Sequence, residues 1–245
     1  MSNLPKGIFV TGTDTGVGKT VVSATIALAL RQSGKRVTVM KPVQTGAGED
    51  GLTDIEFIQK VIGTDRLQEA VCPYRLELPL APLVAAKLAG QLIDVDKIKS
   101  AYFDLSSSHD VVIVEGAGGL LVPITETYFM SDLASDLRLG LIIVIRPGLG
   151  TLNHTLLTLE HARSRGLSIL GFVINNYPDI PTLAERTNPE LLLELTGEKI
   201  LGVIPHDQGI SVERGDIGNL IEMSGTTLTA DLGGTFLVDD FTSRL

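Results

Sequence analysis

Short, uninterrupted apolar runs alternate along this chain with longer amphipathic stretches. Six runs, at residues 8–10, 37–40, 111–114, 141–145, 169–174 and 200–204, show no period-two polar alternation. Strands buried on both faces read this way. Between them, residues 19–33, 54–62, 80–88, 95–106, 130–139, 152–165 and 189–195 have helical spacing or composition. Gly34 and Gly166 supply helix stops. This alternation predicts an α/β fold, a doubly wound, mainly parallel sheet with helices on both faces. After about Gly209 the pattern fades, leaving a packing tail over 208–245 with a late strand expected near 235–238.

In such sheets ligands gather beyond the carboxyl ends of the strands, and the chemically useful residues of this chain stand there. The first run leads into Gly12-Thr13-Asp14-Thr15-Gly16-Val17-Gly18-Lys19-Thr20, a glycine-rich loop that opens a helix at Lys19. Glycines let successive N–H groups face one anion, the helix N-terminus adds partial positive charge, a lysine neutralises β- and γ-phosphates, and a Thr hydroxyl can hold Mg²⁺. The strict motif would have glycine at position 13; Thr13 stands there and Gly12 comes one residue earlier, so the loop is a variant. The remaining runs end at Lys41-Pro42-Val43-Gln44-Thr45-Gly46, Glu115-Gly116-Ala117-Gly118-Gly119, Arg146-Pro147-Gly148-Leu149-Gly150-Thr151-Leu152-Asn153, Asn175-Asn176 and Pro205-His206-Asp207.

Glu115, at the end of an apolar strand, is the expected acidic partner of a phosphate loop, acting through Mg²⁺. Asp54 follows a glycine-rich connection (Gly46, Gly48, Gly51) and Thr53, and reads equally as a second metal ligand or as a helix cap or first-turn acid. Lys41 would bring a second cation to the phosphates, since phosphoryl transfer depends on positioning and charge stabilisation. Thr45 and its glycines offer donors to an acceptor substrate. Gly150 to Asn153 open a helix, which suits a carboxylate or is simply a Thr cap.

Composition narrows the partners. The 245 residues carry a net charge of −9 with no run of Lys or Arg, which argues against a nucleic acid. The one cysteine, Cys72, excludes an internal disulfide and a Cys-based zinc cluster, and beside Pro73 reads as buried filler. No signal-peptide pattern opens the chain and the apolar runs are too short to span a bilayer. One cytoplasmic domain over 1–245, with its core at about 7–207, is therefore expected, without a membrane partner.

In these motifs, together with Asn153-His154 and Ile204-Pro205, the chain resembles the dethiobiotin synthetase family of the P-loop NTPase superfamily, in order and spacing over about residues 7 to 207. The resemblance implies an ATP- and Mg²⁺-dependent ligase of biotin synthesis that closes a ureido ring from 7,8-diaminononanoate and CO₂, releasing ADP and phosphate. It implies Thr20, Asp54 and Glu115 as magnesium ligands, and Lys19 and Lys41 as catalytic cations. Nucleotide contacts would come from Thr15, Gly16, Val17, Gly18, Lys19, Thr20, Val21, Asp54, Glu115, Gly116, Ala117, Gly118, Asn175, Asn176, Pro205, His206 and Asp207. Thr45 would adjoin the substrate, whose carboxylate would be received by Gly150, Thr151, Leu152 and Asn153 from the partner subunit of a homodimer. Some members carry an acid where this chain has Gly16.

Three alternatives share the fold. The synthetase part of the cobyrinate and cobyrate amidases comes with a glutaminase domain and nucleophilic cysteine, for which this chain has neither length nor a suitable Cys. Septum-positioning and plasmid-partition ATPases carry an extra lysine where this chain has Asp14, and a terminal basic amphipathic helix that it lacks. A catalytically silent binding module would not need a competent side chain at every ligand position.

Overall fold

The computed structural model describes residues 7–47, 51–64 and 69–242. Gly48 of the glycine-rich connection and residues 243–245 of the C-terminal segment lie outside the described residues. The sheet strands are β1 (Gly7–Gly12), β2 (Val37–Met40), β5 (Val111–Glu115), β6 (Gly140–Ile145), β7 (Ile169–Tyr177) and β8 (Ile200–Pro205), ordered β2-β5-β1-β6-β7-β8 with every pair parallel. A small parallel pair, β3 (Val43–Gln44) with β4 (Tyr74–Arg75), follows β2, and a hairpin of β9 (Ile210–Ser211) and β10 (Asp216–Ile217) follows β8. The helices are α1 (Lys19–Gln32), α2 (Asp54–Ile62), α3 (Pro82–Leu88), α4 (Val95–Ser108), α5 (Met130–Asp136), α6 (Thr151–Ser164), α7 (Leu183–Thr196), α8 (Leu220–Ser224) and α9 (Val238–Thr242).

Alternate residues of the strands feed two cores. Phe9, Val112, Val114, Ile143 and Phe172 pack with Ile98 and Tyr102 of α4, Leu133 of α5 and Leu192 of α7. Ile8, Val10, Val39, Ile113 and Val144 pack on the other face with Ile26 and Leu30 of α1 and Phe57 and Ile58 of α2. Both sheet faces are covered, which is why the strands read as continuous apolar runs instead of alternating ones. Because all six strands are parallel, their carboxyl ends, and with them the loops carrying Lys19, Lys41 and Glu115, share one edge.

Two expectations are corrected. The helix expected at 189–195 begins six residues earlier. Thr182 caps it and Glu185 completes a capping box, its Oε2 accepting from Thr182 N at 2.7 Å and Oγ1 at 2.8 Å. Pro189 suggests a first turn, where its missing N–H is harmless, but it lies inside α7. The Glu185 carbonyl, which Pro189 cannot serve, accepts instead from the Tyr177 hydroxyl at 3.2 Å. The late strand near 235–238 is absent: residues 235–237 have no regular structure and α9 starts at Val238. The middle of the β8 edge is met instead by Leu228, bridged to Gly202, with Val203 N donating to Thr227 O and Thr229 N to Leu201 O. The tail does pack, with Leu220, Leu228 and Leu232 fully buried in the α1 core. Smaller shifts are that α3 starts at Pro82 instead of residue 80, and that Asn175 and Asn176 belong to β7 instead of following it.

Candidate active site

The loop after β1 stays tied to the sheet, Thr13 N donating to Val144 O at 3.2 Å. It then turns through Gly16 (φ 72°) and Gly18 (φ 90°), left-handed conformations that glycine adopts without strain. Gly18 is also confined by space, because a Cβ there would run into the Asn175 carboxamide, whose Nδ2 donates to Val17 O at 3.0 Å. Helix α1 starts directly after Gly18 with no side-chain cap, leaving its first N–H groups for an anion. Lys19 is buried, its ammonium donating to Asp14 O at 3.2 Å. Burial first, and then the neighbouring Lys41 charge, push its pKa down to about 8.

Lys41 leaves the end of β2 with its ammonium between two carboxylates, 2.6 Å from Glu115 Oε1 and 2.7 Å from Asp54 Oδ2. Glu115 is 0% and Lys41 4% exposed, so that pair interacts in a medium that screens it weakly, while the Asp54 side chain is 32% exposed. Burial alone would lower the Lys41 pKa; Glu115 and then Asp54 outweigh it and hold the pKa above its ordinary value. Burial likewise opposes ionisation of Asp54, and Lys41 overrides it, keeping that carboxyl below its usual range. Thr20 Oγ1 donates to Glu115 Oε1 at 3.1 Å.

Of the roles open to Asp54, the helix cap is excluded. Thr53 is the cap of α2, in a box with Glu56, whose Oε2 accepts from Thr53 N at 2.9 Å and Oγ1 at 2.7 Å. Asp54 is a first-turn acid whose carboxylate is turned to the Lys41 ammonium. Thr20 Oγ1, Asp54 Oδ2 and Glu115 Oε1 thus converge on one small region. Glu115 Oε2 is buried without a hydrogen-bond partner among the described residues. Two carboxylates, one of them with an orphaned buried oxygen, and a hydroxyl fit a magnesium ion, which takes few protein ligands and completes its shell with phosphate and water. No group of three or more His, Cys, Asp or Glu side chains that could hold a metal ion occurs among the described residues, so such an ion would depend on the Thr20 hydroxyl, phosphate and water for the rest of its shell.

A cavity of about 360 Å³ collects Thr15, Gly16, Gly18, Lys19, Thr20, Val21, Lys41, Thr45, Asp54, Glu115, Ala117 and Gly118. Gly116 lies against the Phe9 ring, which a Cβ would strike. Val17, Asn175 and Asn176 line an adjacent cleft of about 350 Å³ with Arg146, Leu149 and Glu185. Pro205, His206 and Asp207 border a third hollow, with His206 Nδ1 2.5 Å from Asn176 Oδ1 linking it to the second. Gly150, Thr151, Leu152 and Asn153 line none of the three: Thr151 is buried at the start of α6, Leu152 is half-buried, and Gly150 and Asn153 are exposed. Sequence reasoning missed Val212, which lines the main cavity from the tail and carries no motif. It also gave no role to Arg146, whose strand-end position was a signal. Cys72 is buried as expected, and burial pushes its thiol up to about 11.

A parallel sheet with a lysine-bearing phosphate loop at its central strand and an acid ending the neighbouring strand defines a nucleotide-binding α/β protein of the phosphate-loop class. A family model described as an AAA domain matches residues 6–214. The chain belongs to the family of ATP-dependent dethiobiotin synthetases. It is 41% identical over 209 residues to the ATP-dependent dethiobiotin synthetase of Bacillus subtilis (strain 168), covering 85% of this chain and 90% of that protein. It is 40% identical over 211 residues to that of Methanocaldococcus jannaschii, covering 84% and 97%. Among solved structures, the MinC:MinD cell division protein complex of Aquifex aeolicus matches with a TM-score of 0.59 at 16% identity, over 98% of this chain and 95% of that one. A ParA family ATPase from Chlorobium tepidum TLS matches at 0.57 and 15%, over 95% and 97%. These two share the fold.

Proposed function

We propose that this protein closes the ureido ring of dethiobiotin from 7,8-diaminononanoate and CO₂ at the expense of ATP. The observation that carries the reading is Lys41, held by Asp54 and Glu115 at the edge of a phosphate-loop cavity in a chain 41% identical to a named synthetase. Ring closure requires an amine to add to CO₂ as a carbamate, the carbamate oxygen to take the γ-phosphoryl group with loss of ADP, and the second amine to attack the carbamoyl carbon with loss of phosphate. The nucleophile of the second step and its target are both anionic. At 4 Å, two unit charges repel by about 4 kcal/mol near a protein surface, and cations must offset this.

The chain supplies them in fixed positions. The loop N–H groups and Lys19 would neutralise the β- and γ-phosphates. Lys41, kept charged by its carboxylates, would stabilise the carbamate and the moving phosphoryl group. Thr20, Asp54 and Glu115 would hold Mg²⁺, which when bound screens the phosphate oxygens. The Thr45 hydroxyl lines the same cavity and would orient the diamine. Asn175, Asn176 and the turn from Pro205 to Asp207 would border the base.

A homodimer belongs to the same proposal. Gly150 to Asn153 line none of the cavities of their own chain, yet they lie beside Leu149 (92% exposed) and Leu157 (63%), an apolar face suited to a second copy that would then receive the substrate carboxylate. No helix of the described residues is long and apolar enough to cross a membrane, consistent with a single-domain cytoplasmic enzyme. The test is phosphate release from ATP and Mg²⁺ by the purified protein, with and without 7,8-diaminononanoate and bicarbonate. Diamine-dependent release with a product heavier by CO₂ less water is expected. Release that ignores the diamine would sink the reading in favour of a switch ATPase.

A further inference from the structure

Arg146 has no role in anything above, yet it touches the phosphate loop. Strands β6 and β7 run in parallel with Ile145 opposite Ile174, so the next residues, Arg146 just past the end of β6 and Asn175 still within β7, stand side by side. Both donate to carbonyls of the loop: Arg146 Nη2 to Thr15 O at 2.9 Å and Asn175 Nδ2 to Val17 O at 3.0 Å. Each of these carbonyls belongs to a peptide unit whose N–H is that of a left-handed glycine, Gly16 (φ 72°) and Gly18 (φ 90°). In a planar trans peptide the C=O and N–H point in opposite directions. Anchoring the Thr15 and Val17 carbonyls to the strand ends therefore aims the Gly16 and Gly18 N–H groups away from β6 and β7, toward the cavity where a phosphate is expected.

Glycine makes this geometry possible but does not enforce it, because it passes readily between positive and negative φ. A released Thr15–Gly16 peptide could turn over and present a carbonyl lone pair to the anion, converting an attractive contact into a repulsive one. Among the described residues Arg146 forms no ion pair that would draw it elsewhere, and a Cβ on Gly16 would lie 3.7 Å from its Nη2 without closer contact. An acid at position 16 could engage the guanidinium; glycine leaves it to the backbone.

We propose that Arg146 is a positioning residue that fixes the Thr15–Gly16 peptide so that the phosphate loop is preformed before nucleotide arrives. This rests only on the loop binding nucleotide phosphates, not on the identity of the acceptor. The test uses the full chain and two readouts, ADP affinity by calorimetry and amide exchange of the peptide covering residues 13–18 in nucleotide-free protein. Arg146→Ala should weaken ADP about tenfold and speed exchange in that peptide, with an unchanged unfolding midpoint because the side chain is exposed. Arg146→Lys, which retains a donor of nearly the same reach, should restore both. ADP affinity within twofold of the parent would overturn the proposal. So would weakened binding with unaltered exchange, which would make Arg146 a charge acting on the phosphates and not on the loop. Failure of the parent protein to bind ADP would instead count against the nucleotide reading itself.

Discussion

At the scale of single residues, the site is dominated by charges that have been taken out of water. Removing one partner from a buried ion pair leaves the other uncompensated, typically at about 3–5 kcal/mol. Lys41→Gln should therefore do two things. Turnover should fall by about a hundredfold or more, the scale on which transition-state charge stabilisation is lost, with ADP affinity changed only a few-fold. The fold should also lose about 3 kcal/mol in denaturant unfolding, much of it recovered when Glu115→Gln removes the stranded carboxylate. Unchanged turnover would refute the role given to Lys41. Lys41 and Glu115 are legible in the sequence because each ends an apolar run. Asp54 was harder, since ligand and cap read alike at that position. The spacing of Thr53 and Glu56 already carries the capping-box signature that frees Asp54. The contacts of Arg146 and Asn175 with loop carbonyls had no sequence signal, because they depend on which strands become neighbours.

At the scale of elements, the six strands and most helices follow from apolar period and glycine stops, while the misplaced boundaries have local causes. Helix α7 crosses a proline because Tyr177, ending the adjacent strand, satisfies the carbonyl that Pro189 abandons. That compensation joins two elements and could not be read from either alone. Tyr177→Phe should cost about 1 kcal/mol, the net worth of one hydrogen bond, and the cost should shrink in a Pro189→Ala background, where the helix can serve Glu185 O itself. A double-mutant cycle by urea unfolding measures the coupling; equal costs in both backgrounds would show that the hydroxyl contributes nothing to the helix. The tail misled for a related reason. Its apolar residues at 236–238 have strand-like composition, but β propensity reports how a residue fits an available sheet surface, and the β8 edge is already met by Leu228.

At the scale of the whole molecule, a parallel sheet sends every loop of chemical interest to one edge, which is why candidate residues scattered from position 15 to 207 meet in adjoining cavities. Apart from Gly116, which lies against Phe9, the residues that do not join them are Gly150 to Asn153, whose proposed task belongs to a second subunit, and contacts across subunits leave no periodicity in a single chain. Replacing Leu157, which lines none of the three cavities, by Asp should give a monomer in sedimentation and raise KM for the diamine at least tenfold, with ADP affinity retained. A monomer with unchanged KM would remove the partner from the substrate site. The cluster of buried Lys41 and Glu115 with half-buried Asp54 bears on the molecule as a whole in another way. Many small metalloproteins fold only once their ion arrives, because the free energy of binding it supplies the free energy of folding. Here an ammonium of the polypeptide itself already lies between the two carboxylates, so their mutual repulsion is offset within the chain and folding does not wait on an added ion.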